Sequence, residues 1–171
     1  VTRRTDNIGK ALDYHQQALS LAEAEPIINE GLNRSIAVSL NSMGNIYLAL
    51  KQYDIALQQF NKSIAIEKDL DNKLGLAINY QNIVKLSLES GANVIAMQYP
   101  LRTADELRKT LMNFPEVTIV EQINHFKEAL AQSPYHEIFI DHFAGDFGHC
   151  TQKGNSLIAK KLSEVLIHEP V

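Results

Sequence analysis

Apolar residues recur every three to four positions up to Gly91, with polar and charged residues between them. That is the period of helices buried along one stripe. The spacing predicts four helices, over 5–25, 33–50, 53–69 and 73–90, with Pro26 the only proline in the stretch. Past Gly91 the texture changes. The run 93–99 (NVIAMQY) is short, apolar and closed by Pro100, which reads as a buried parallel strand. Residues 103–112 read as a helix with Thr103 as its N-cap. A second strand follows over 117–120, then a helix over 123–131, an irregular stretch and a last helix over 152–167. Strand–helix–strand–helix is α/β order. The expected fold class is α+α/β: helical hairpins over 1–90, then a partial, mostly parallel α/β segment over 91–171.

The first half repeats itself. Ala11-Leu12, Ala18-Leu19 and Leu21 match Ala56-Leu57, Ser63-Ile64 and Ile66 at identical internal spacing. Ala37, Leu40, Met43 and Gly44 are echoed 40 residues later by Ala77, Tyr80, Ile83 and Val84. At these residues the chain resembles the tetratricopeptide (TPR) repeat family. Met43-Gly44 stands where that family has Leu-Gly, Tyr47 where it has Tyr, Ala56 at its small helix-crossing position and Phe60 at its aromatic. Gly44 and Ala56 are expected to let two antiparallel helices approach, with Tyr47 and Phe60 filling the space between repeats. The resemblance implies a concave groove that binds a peptide or protein partner. The groove candidates are Asn41, Asn45, Leu48, Asn79 and Asn82. Asparagine suits such a face because its amide offers donors and an acceptor to a peptide backbone without burying a charge.

The second half concentrates its chemistry in 139–159 (FIDHFAGDFGHCTQKGNSLIA). Asp146 and His149 stand three apart in a glycine-containing loop before a helix. A carboxylate at that separation can hold the near imidazole nitrogen, fix the tautomer and leave the far nitrogen as a base. Thr151 is placed to cap the following helix, and Gly154 to let its first turn pack tightly. Here the sequence resembles the SGNH (GDSL-like) hydrolases, whose last motif is Asp-x-x-His followed by a Gly-x-x-Leu-Ile-Ala-like helix. The resemblance covers about 80–168. It implies that His149 is the general base and Asp146 its orienting acid. That family's serine, in a Gly-Asp-Ser motif, and its glycine and asparagine oxyanion donors have no counterpart in these residues. Ser42, Ser90 and Ser156 are the substitutes to weigh, and none follows a strand in a nucleophile turn. Cys150 reads as structural rather than as an activated thiol.

Composition narrows the choice further. Sixteen basic against twenty acidic residues give a net charge of −4 without a basic stretch, so a nucleic-acid partner is not expected. No apolar run reaches the ~18 residues of a membrane span, and no membrane association is expected. One cysteine excludes an internal disulfide and fits a reducing compartment; the location expected is cytoplasmic. Beginning at Val1 rather than Met, the chain reads as a fragment. His136, Asp141, His142, Asp146, His149 and Cys150 are dense in ligand types, but no His-x-x-x-His pair converges on one helix. Neither a metal nor a cofactor is expected. Lys160-Lys161 reads as decoration of a helix end.

The expectation is thus a TPR-type interaction module joined to an incomplete SGNH-like segment without turnover of its own. A strand at 93–99 with one evident neighbour leaves an open edge. Repeat helices, self-association as a homo-oligomer or a separate polypeptide would cover it. The alternative is an ester hydrolase, for acyl or carbohydrate esters, using His149 and Asp146 with a serine supplied elsewhere. A third reading makes the second half a cap for a pure peptide binder.

Overall fold

A computed structural model describes residues 2–24, 29–142, 145 and 147–168, with side chains described from 7 and up to 167. Pro26 and Asp146 lie outside the described residues. The architecture is mostly helical, with helix-on-helix packing compatible with a helical repeat and two short parallel strands. The chain divides into two compact units, 1–93 and 94–171.

The first unit is four helices in sequence: α1 (Thr2–Ala24), α2 (Glu30–Ala49), α3 (Tyr53–Asp69) and α4 (Lys73–Glu89). Each packs chiefly on the next, α2 on α3 most extensively. Asn29 caps α2 by accepting the Leu32 N–H at 2.9 Å, and Asn72 caps α4 by accepting from Gly75 at 3.3 Å. The turns are equally specific. After α2, Lys51 N–H donates to Leu48 O and Gln52 N–H to Tyr47 O. The same pair of bonds closes α3 through Asp71 and Asn72, and α4 through Gly91 and Ala92. These are three Schellman caps in register. Their left-handed residues are Lys51 (φ 59°), Asp71 (φ 47°) and Gly91 (φ 86°). Turns this short force neighbouring helices antiparallel.

Packing explains the sequence echoes. Leu48, Ala56, Phe60 and Leu86 form the buried cluster, with Tyr47, Tyr53 and Ile83 against it. Gly44 faces the Phe60 ring so closely that a Cβ there would lie 2.5 Å from Phe60 Cε1. Tyr53 Oη donates to Glu89 O at 3.0 Å, tying the start of α3 to the end of α4.

The second unit holds β1 (Ile95–Met97), α5 (Asp105–Thr110), β2 (Thr118–Val120), α6 (Ile123–Gln132), the single turn α7 (Tyr135–Ile138) and α8 (Gln152–His168). The strands pair in parallel, Ile95 with Thr118 through Met97 with Val120. Among the described residues each strand has only the other as a neighbour, so the expected α/β segment is reduced to three paired positions. Helix α5 begins later than the sequence predicts: Ala104 rather than Thr103 is the N-cap, without a side-chain cap bond. Asp105 and Glu106 in its first turn and Arg108 and Lys109 in its last complement the helix dipole instead. The core lies on α6, α7 and the chain after them. Phe126, Ile138, Phe139 and Phe147 are buried together, and the Phe126 and Phe139 rings stack at 5.6 Å.

Candidate functional site

Two constellations stand out, one in each unit. In the first, α2 and α4 share a polar face. Asn82 Nδ2 donates to Asn41 Oδ1 at 2.7 Å across the two helices, and Asn45 Nδ2 donates to Asn41 O within α2. Asn45 is exposed, and Asn41 and Asn82 are half-buried. The other two residues expected on this face lie deeper. Leu48, 2% exposed, belongs to the core cluster with Phe60. Asn79, 1% exposed, donates through Nδ2 to Ser63 Oγ at 3.0 Å and to Gly75 O at 2.9 Å. Packing on α3 decides which remain on the surface, since Leu48 lies against Phe60 and Asn79 bonds Ser63.

In the second unit the site is built on the chain leading into α8. Phe139 and Cys150 form an isolated antiparallel bridge, Ile140 N–H donates to His149 O at 2.7 Å and Thr151 N–H to Ile138 O at 3.0 Å. The bridge folds the loop back so that Asp141 meets His149. The carboxylate takes two bonds from that residue: the backbone N–H at Oδ1, 2.9 Å, and the imidazole Nδ1 at Oδ2, 2.7 Å. Those bonds, the backbone one foremost, hold the Asp141 carboxyl below its ordinary range. Asp141 thus meets Nδ1 of His149, while Asp146, the partner expected from the sequence spacing, lies outside the described residues. Its backbone is fixed as well, since Tyr135 Oη donates to Asp141 O at 2.9 Å.

Glycine makes this approach possible. A Cβ on Gly148 would overlap the backbone carbonyl of Asp141. Gly154 stands the same way against Ile138 O, and its N–H donates to Thr151 Oγ1 at 3.2 Å. Thr151 therefore caps α8, and Gly154 lets the helix start lie flat on α7. Lys153 bridges Glu137 at 2.6 Å and Ser133 at 2.7 Å, reinforcing the same junction. The imidazole and carboxylate are both substantially exposed, at 65% and 47%. A His–Asp pair at a loop surface can orient an imidazole and stabilise its cation, which is the arrangement of a general base.

Two of the three hydroxyls weighed as nucleophiles are engaged elsewhere. Ser156 Oγ donates to Gln152 O at 2.9 Å and Ser90 Oγ to Ser87 O at 2.8 Å, each back into its own helix. Ser42 lies within α2. Cys150 packs against the aromatic cluster, and burial pushes its thiol pKa up, away from an activated thiolate. Among the described residues no three His, Cys, Asp or Glu side chains are grouped as a metal site, and no helix is long and apolar enough to cross a membrane. Compared with known proteins, the chain matches no family model, no curated protein and no solved structure.

Proposed function

We propose that the helical half is a docking array of TPR type, taking an extended peptide along α2 and α4, and that the second half is an SGNH-like remnant without turnover. The observation that carries the reading is the Asn41–Asn82 amide pair spanning α2 and α4, 2.7 Å apart. Such a pair offers unspent amide donors and acceptors on a face that repeats of this length leave open. The test is selection of a random displayed-peptide library on the full chain, followed by titration of a recovered peptide. Asn45→Ala and Asn82→Ala should each weaken it about tenfold, roughly 1.4 kcal/mol. Unchanged binding in both discards this face.

A second reading rests on the Asp141–His149 pair. It makes the protein an ester hydrolase in which His149 would take a proton from a serine contributed by another segment or chain. Its support is the 2.7 Å contact at Nδ1. The absence of a Gly-Asp-Ser motif from these 171 residues weighs against turnover by them alone.

A further inference from the structure

Beneath the α2–α4 face lies a cavity of about 190 Å³, lined by residues of α2, α3 and α4. At its floor is Glu67, 3% exposed on α3. Its carboxylate accepts one bond, from Asn72 Nδ2 at 2.7 Å. Gly75 leaves the space it fills, since a Cβ there would overlap the carboxylate. Arg34 also lines the cavity, but its guanidinium pairs with Glu30 at 3.0 Å, and among the described residues no cationic side chain forms an ion pair with Glu67. A second acceptor is also unspent. Asn79 lines the same cavity, its Nδ2 is engaged twice, and its Oδ1 has no hydrogen-bond partner. A buried carboxylate without a cation and a buried amide oxygen without a donor each cost stability. Both deficits are met by one kind of group, a positively charged donor. The cavity also carries Val38, Leu74 and Ile78, exposed at 56%, 72% and 42%. Such apolar edges suit an aliphatic stem whose charged head reaches inward.

We infer that the cavity over Glu67 and Asn79 receives a lysine or arginine side chain of the docked peptide, its charge paired with Glu67 and one N–H donated to Asn79 Oδ1. The inference rests on the docking reading above and adds the residue class that the groove selects.

The probes are N-acetyl-arginine amide and N-acetyl-lysine amide, titrated into the full ¹⁵N-labelled chain at low salt. Blocked citrulline and norleucine are the neutral counterparts. Saturable shifts at the Asn72, Gly75 and Asn79 amides are expected with at least one basic probe, at least tenfold weaker with its neutral counterpart. Glu67→Gln retains an oxygen for Asn72 and should weaken the basic probe by a similar factor. Equal response to charged and neutral probes, no response to either basic probe, or an unchanged response in Glu67→Gln overturns the assignment. If that variant does not fold, the charged-against-neutral comparison on the wild type decides alone. Selected peptides that lose affinity in Asn82→Ala, show no basic enrichment and ignore Glu67→Gln would sustain the groove and overturn the cavity assignment. A basic-probe response without any retained peptide would do the reverse.

Discussion

In the first 93 residues a side chain's place follows from where it falls on a helix, whereas between 94 and 171 it follows from how the chain crosses itself. Phe60 is buried because α3 presents it to Gly44 on α2, where the missing Cβ leaves room for the ring. Asp141 is fixed because a two-residue antiparallel bridge brings Gly148 beneath its carbonyl and His149 onto its carboxylate. The first region is held by apolar interdigitation spread over four helices. The second adds to its aromatic cluster a set of local hydrogen bonds, each depending on one glycine or one cap. A polar face on α2 and α4 and a loop-borne imidazole are the candidate sites that these two styles of packing leave behind.

Substitutions separate the two styles. Phe60→Ala opens a cavity at the fully buried contact with Gly44 and should cost about 3–5 kcal/mol in urea denaturation. Gly44→Ala, which drives a methyl into the same ring, should cost about 1–3 kcal/mol. Because both act on one contact, Gly44→Ala should cost much less in a Phe60→Leu background. In the second half Gly148→Ala meets backbone rather than a movable side chain, so about 3 kcal/mol is expected. Gly145, with φ 84° and open space around its missing Cβ, should lose only about 1 kcal/mol on replacement by Ala. Equal costs at 145 and 148 would mean that the Asp141 crossing does not constrain the loop.

Smaller effects test the caps. Lys51→Gly and Asp71→Gly relieve left-handed backbone and should each stabilise by about 0.5–1 kcal/mol, read as a rise in midpoint. In the second half a pH response is expected at Asp141. The Asp141 carboxyl is held below its ordinary pKa of 3.8 by His149. Its contribution is therefore complete above that value and fades as the pH falls through the lower, folded one. Carboxyl ¹³C titration should give a midpoint below 3.8, rising towards it in His149→Ala; a midpoint already at the ordinary value would break the pairing.

Much of the helical half was legible because its period is long and regular. The spans 53–69 and 73–90 agree with α3 and α4 to within a residue, and Gly44, Ala56 and Phe60 meet as their types require. The caps at Lys51 and Asp71 were hidden, since glycine is the usual signal and neither has it. Only their spacing with Gly91 could have disclosed them. Glu67 was missed for a related reason: on the helix period it is a core position occupied by a charge, intelligible once Gly75 is known to face it. In the second half Thr151 and Gly154 were readable as a helix start. Asp141 was not, for it lies eight residues before His149 and reaches it through strand pairing rather than local spacing. The His149 base was read from its spacing to Asp146 and from a resemblance; its contact with Asp141 comes from chain crossing.

The proposed division between a recognising half and a catalytically silent half is tested most directly by p-nitrophenyl acetate turnover, wild type against His149→Ala. Equal rates at the buffer background are the expected result. A wild-type rate above background that falls on removing the imidazole would contradict it and make the Asp141–His149 pair part of a working hydrolase.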